Sequence, residues 1–108
     1  MENKLMGWNI SYLQVVEAWL DGLTKEQFKS IVKELRLLEC CGNKLRLPHS
    51  KSLGGWLFEL RERRFSLRLY YCFHDKRVIM ILHGGGKSSQ SDDIEKARGL
   101  LKMLLREV

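Results

Sequence analysis

Three short runs of residues, joined by turns with no room for a crossover, set the fold this chain can adopt. In Trp56–Arg61, the side chains of Trp56, Phe58 and Leu60 fall on one face and those of Leu57, Glu59 and Arg61 on the other. In Leu67–Phe73, Leu67, Leu69, Tyr71 and Phe73 oppose Arg68, Tyr70 and Cys72. This period of two belongs to half-buried strands. The third run, Val78–His83, is almost wholly apolar and is expected inside the sheet, covered on both faces. The joints Arg63–Ser66 and His74–Lys76 are too short for a crossover helix, so the strands must be antiparallel neighbours. Gly84-Gly85-Gly86 is expected to break the last strand, and Lys87–Gln90 to form an exposed loop. Lys44–Gly55, which holds the only proline, Pro48, reads as a connector.

Helices flank these strands. From Ser11 onward, Tyr12, Val15, Val16, Trp19, Leu20 and Leu23 recur at the three-and-four spacing of one buried stripe, and Asp21-Gly22 marks its end. Thr24 with Gln27 three residues on is a capping box. It opens a second helix, with stripe Phe28, Ile31, Val32, Leu35 and Leu38, that Gly42-Asn43 stops. Ser91 caps a last helix with Asp92, Asp93 and Glu95 near its positive end. Lys4–Met6 is a candidate short edge strand. The order is helix, helix, three strands, helix. That is an α+β domain spanning residues 1–108, an N-terminal helical hairpin packed on a small antiparallel sheet of three to four strands, with a C-terminal helix.

Charge singles out the same middle segment. Residues 44–90 hold ten Lys/Arg against three acidic side chains, so the whole excess behind the net +6 lies there. A sheet with one apolar and one cationic face is expected, and such a face suits polyanions, above all nucleic acid. A charge run is also, more plainly, a solvated surface. No apolar run approaches a membrane span, and the start MENKLMGWN has no signal-peptide core, so a cytoplasmic chain is expected. Cys40, Cys41 and Cys72 have neither disulfide nor zinc-site spacing and are expected to be reduced thiols.

Familiar catalytic templates are missing: there is no GxSxG, no Walker loop and no paired carboxylates. The polar face carries Lys51, Arg61, Arg68, Tyr70, His83 and Lys87, a set without a carboxylate cage for a metal. No cofactor is expected. The set suits metal-free RNA cleavage, in which the ribose 2′-OH attacks the adjacent phosphate and cations stabilise the charge that gathers on its oxygens. His83, Tyr70 and a lysine are the proton-transfer candidates. Each has a plainer reading. Arg61 and Arg68 also fit solvent-facing strand charges, His83 a satisfied structural histidine, Tyr70 a ring packed under a helix, and Lys87 a loop residue.

Several motifs together resemble a known family. Leu47-Pro48, Lys51, Leu53-Gly54 and Leu57-Phe58-Glu59-Leu60-Arg61 come first. Leu67-Arg68-Leu69-Tyr70-Tyr71, Ile81-Leu82-His83-Gly84 and Lys87 follow. In order and spacing they resemble the RelE/HigB superfamily of toxins from type II toxin–antitoxin systems, most of all its phage-derived Gp49-like HigB branch. The tail Gly84–Gln90 with Asp93–Ala97 is similar to a sister branch of addiction-module killer proteins. The resemblance implies a RelE-like fold and a metal-independent, ribosome-dependent mRNA endoribonuclease that inhibits translation. It also implies a cognate antitoxin, of helix-turn-helix type, as partner. Carried over by position, Lys51, Arg61 and Arg68 would hold RNA phosphates and the transition-state charge, His83 and Lys87 would sit at the cleavage site, and Glu59 would orient an arginine. With the cationic face taken into account, the expected catalytic set is Arg61, Arg68, His83 and Lys87, and the expected RNA-binding set Lys51, Tyr70, Arg63 and Arg64. The chain departs from the family pattern at Gly85, Ser88 and Leu67. A ParE-like gyrase inhibitor and a non-catalytic nucleic-acid or protein-binding module are the alternatives.

Overall fold

A computed structural model describes residues 7–106. The elements run β1 (Asn9–Tyr12), α1 (Gln14–Asp21), α2 (Lys25–Cys41), β2 (Ser50–Gly54), β3 (Leu57–Glu62), β4 (Leu67–Asp75), β5 (Val78–Gly86) and α3 (Gln90–Arg106). Short 3-10 turns fill Gly42–Lys44 and Lys87–Ser89. The five strands form one sheet in the order β1-β5-β4-β3-β2. The three expected strands are antiparallel neighbours.

Two strands go beyond the expected sheet. β2 pairs antiparallel with β3 inside the stretch read as a connector, and β1 pairs parallel with β5 where the first helix was expected to begin. Tyr12 stands three and four residues before Val15 and Val16 and so fits a helical stripe as well as a strand, which is why periodicity alone misplaces it. β2 reads SKSLG, with a single large apolar residue, so it carries almost no pattern. The candidate strand Lys4–Met6 lies outside the described residues. The triple glycine also behaves differently from expectation. β5 continues through it, with Gly84, Gly85 and Gly86 opposite Leu69, Arg68 and Leu67.

Both faces of the sheet are covered. α1 lies against β5 and α2 against β3 on one side, over a core of Val16, Ile31, Leu35, Leu38, Leu60, Leu69, Tyr71, Ile79 and Ile81. On the other side α3 crosses the sheet over a smaller core of Leu57, Tyr70, Cys72, Leu82, Ala97 and Leu101. The guanidinium of Arg98 ties α3 to β2 through the carbonyls of Leu53 and Gly54. The expectation of one wholly cationic, open face is therefore corrected: α3 buries much of it, and charge survives at the end near the β3–β4 turn. Among the described residues, no helix is long and apolar enough to cross a membrane.

Local chemistry fixes the ends of α2 and the β3–β4 turn. The Thr24 hydroxyl accepts from the Gln27 amide while the Gln27 side chain accepts from the Thr24 amide, completing the capping box. Buried Glu62 closes the turn after β3. Its carboxylate accepts from Ser30 Oγ at 2.6 Å and from the amides of Arg64 and Phe65 at 2.8 and 3.0 Å. Burial alone would raise the Glu62 pKa, but these donors outweigh it and hold the carboxyl below the usual glutamate range. Such a group contributes stability above its unfolded pKa of about 4.3 and loses it as pH falls through the lower folded value. Glu62→Gln should therefore lose stability at neutral pH and show a flatter stability profile through acid, which urea melts at a series of pH values will check.

Candidate functional site

Strand register assembles the polar residues into two rows on the α3 face. Lys51 stands opposite Glu59, Glu59 opposite Tyr70, and Tyr70 opposite His83. One step along, Arg61 stands opposite Arg68 and Arg68 opposite Gly85. His83 joins this face through a β-bulge. Tyr70 pairs with His83 and Tyr71 with Ile81, so Leu82 is the extra residue, and both Leu82 and His83 turn toward α3. Without the bulge, strict alternation would send one of them to the opposite side.

Glu59 is the centre of the arrangement and is fully buried. Arg61 Nε donates to its Oε1 at 3.1 Å, and Gln90 Nε2 donates to its Oε2 at 2.7 Å. Arg68 Nε stands 3.4 Å from Oε2, an ion pair without a hydrogen bond. Two arginines directly opposite each other on neighbouring strands repel, and the carboxylate beneath them offsets that repulsion. The Arg61 side chain remains 31% exposed and that of Arg68 12%. Arg61 thus presents part of its guanidinium to solvent while its Nε is fixed.

His83 belongs to a second, linked cluster. Asp93, buried in the first turn of α3, accepts from His83 Nε2 at 3.0 Å and from Ser89 Oγ at 2.6 Å. A carboxylate only accepts, so the ring proton sits on Nε2. Nδ1 is buried without a partner among the described residues. Gly85 makes this cluster possible, because a Cβ there would lie 1.8 Å from Asp93 Oδ2. Gly85→Ala should therefore push Asp93 off His83 and cost about 1–3 kcal/mol as overpacking does. A thermal melt and the His83 ring resonances will read both effects.

The remaining sequence candidates scatter. Tyr70 is fully buried under α3, so as a direct RNA contact it is corrected to a core residue. Burial, with the nearby charges of Glu59 and Asp93, raises its pKa, so the hydroxyl stays protonated. Lys51 is exposed on β2, and Lys87 is exposed in the turn that follows β5. Arg63 and Arg64 sit in the β3–β4 turn and line a groove of about 380 Å³ with Lys29 and Lys33 of α2. Arg64 lies 4.0 Å from Glu26 and over the Phe65 ring, away from the Glu59 rows. Cys72 is buried, its thiol pushed up to about 11 by desolvation. Among the described residues, no group of three or more His, Cys, Asp or Glu is placed to hold a metal.

Sequence reasoning passed over Ser89, Gln90 and Asp93, the α3 side of both clusters. Asp93 reads naturally as a helix-dipole residue. The available signal was Gly85, since a glycine inside a strand marks a close approach.

Residues 18–102 match the family described as phage-derived protein Gp49-like. The chain belongs to this Gp49-like family. Among solved structures, the Gp49-like chain is similar to a double arginine-to-alanine mutant of the E. coli toxin RelE in the free state. The TM-score is 0.63 at 13% identity, over 84% of this chain and 98% of that one. The two share a fold. No curated protein sequence matches the Gp49-like chain.

Proposed function

We propose that this Gp49-like chain is the toxin of a type II toxin–antitoxin pair and works in the cytoplasm as an endoribonuclease on mRNA at the ribosome. The observation that carries the reading is the Arg61–Arg68 pair, held by buried Glu59 at the open end of the sheet, with His83 one row away. The shared fold with a protein named as a toxin, and the Gp49-like membership, agree with it. The 2′-oxygen of a ribose attacks the neighbouring phosphorus, the bond to the 5′-oxygen of the next nucleotide breaks, and a 2′,3′-cyclic phosphate and a 5′-hydroxyl result. Negative charge on the non-bridging oxygens faces Arg61 and Arg68, which are oriented beforehand. The 2′-OH proton leaves to a base and another reaches the departing oxygen. His83 and Lys87 are assigned to these steps, and Lys51 to a flanking phosphate.

The test is a translation extract programmed with a defined mRNA and given the purified chain, with RNA ends mapped by primer extension. Internal cuts bearing 5′-hydroxyl ends are expected, and only while the message is translated. Intact mRNA would refute the nuclease, and intact mRNA with gyrase supercoiling abolished would transfer the chain to the gyrase-inhibitor class.

A further inference from the structure

Among the described residues, Trp56 is the most exposed large apolar side chain, at 77%. It stands in the β2–β3 turn with φ 72°, a left-handed conformation that a bulky residue rarely adopts. Gly54 and Gly55 before it take φ 84° and 59°, which glycine does freely. Neither apolar core includes the indole. Folding therefore gains little from a tryptophan here and works against it twice, in the backbone and in the apolar surface left wet. A glycine would suit the turn better.

The ring is not isolated. With Phe58, Cys72, Phe73, Leu101 and Leu105 it lines a recess of about 160 Å³. A cavity of roughly 150 Å³ takes one benzene-sized ring. The recess thus has room for a single planar group, not for the row of anchors that a helix presents. Cations flank the way to it. Lys51 is exposed on β2, and Lys102 is exposed one turn of α3 beyond Arg98, which grips the Leu53 and Gly54 carbonyls. β2 is the outermost strand and leads from Lys51, level with Glu59, to this turn. Between Arg61 and Trp56 the chain covers roughly 17 Å at the rise of a strand, a span that a few nucleotides bridge.

We propose that Trp56 and its recess form a base-stacking subsite for single-stranded RNA, on the same strand whose scissile phosphate lies at Arg61 and Arg68. An indole offers a π-face to any base, and Lys51 holds a phosphate between the two ends. The class of ligand rests on the endoribonuclease reading; the subsite and its distance from the cut go beyond it. Cleavage at Arg61 then requires an unpaired flank long enough to reach Trp56.

The probe is a 2′-O-methyl oligoadenylate of about eight nucleotides, within the usual site size for single strands. Its blocked 2′-oxygens prevent cleavage, and it is titrated into the full chain at low salt. Indole emission should be quenched. The quenching should vanish in Trp56→Phe, since Trp8 and Trp19 are half-buried against the other core. Trp56→Phe keeps a π-face and should bind within a few-fold of the native chain. Trp56→Leu keeps apolar bulk without one and should bind roughly 5- to 100-fold more weakly, the range of one lost stack. Trp56→Gly should bind as weakly yet melt at or above the native temperature, because it relieves the left-handed backbone. Absence of quenching, quenching that persists in Trp56→Phe, or full affinity in Trp56→Leu would overturn the inference. So would a Trp56→Gly chain that melts below the native one, or the same emission change on raising the concentration of the chain alone. Failure of the nuclease reading is separate: it would appear as intact mRNA in the translation extract, whereas an unquenched Trp56 in a chain that still cuts mRNA removes the subsite alone.

Discussion

Glu59→Ala is expected to lower the unfolding free energy by about 3–5 kcal/mol, the usual cost of breaking a buried ion pair from one side. The carboxylate is fully buried and serves Arg61, Arg68 and Gln90 at once. Its removal strands the Arg68 guanidinium, 12% exposed, opposite another arginine. Gln90 loses its partner as well, which loosens the first turn of α3. The double variant Glu59→Met with Arg68→Met separates charge from packing. Apolar replacement of both members of a buried pair is often neutral or stabilising, so the double variant should recover most of the stability while remaining inactive on RNA. A Glu59→Ala protein that melts like the native chain would mean that the carboxylate is solvated and that no buried hub exists.

Arg61→Ala should reduce RNA cleavage about 10²- to 10³-fold, the range seen when one preorganised donor is withdrawn from a developing oxyanion. Stability should change far less than in Glu59→Ala, because Glu59 keeps Arg68 and Gln90 and the Arg61 side chain is already 31% exposed. Arg61→Lys should not restore the rate. A lysine has no fork with which to hold Glu59 through one nitrogen and a phosphate through the others. RNA affinity should fall less than the rate, since Lys51 and Lys87 remain exposed on neighbouring elements. Equal rates for Arg61→Ala and the native chain would reduce the charged end of the sheet to a solvated surface.

How much of this was legible beforehand follows from which interactions are local. Alternation in β3 and β4 gave the correct faces for Leu60, Leu69 and Tyr71 on one side and for Glu59, Arg61, Arg68 and Tyr70 on the other. Thr24 and Gln27 announced the start of α2, and Gly42, at φ 53°, its end. A ring packed under a helix was one of two readings open for Tyr70, and the choice was not legible, because the apolar stripe of α3 does not say which half of the sheet it will cover. The bulge at Leu82 was hidden too, since an apolar run carries no alternation whose slip would be visible. Ser89, Gln90 and Asp93 act across the gap between helix and sheet, so their roles depend on packing that periodicity does not encode.

β1 lies beside β5, with Asn9 against Val78, although most of the chain separates them. Synthesis proceeds from the N-terminus, so the first strand waits for its neighbour until Val78–Gly86 has been made. The Glu59 hub waits longer still, for Gln90, and the His83 cluster for Asp93. Contacts so distant in sequence form late. A half-made polypeptide therefore has neither a closed sheet nor fixed arginines while it is tethered to the machinery producing it.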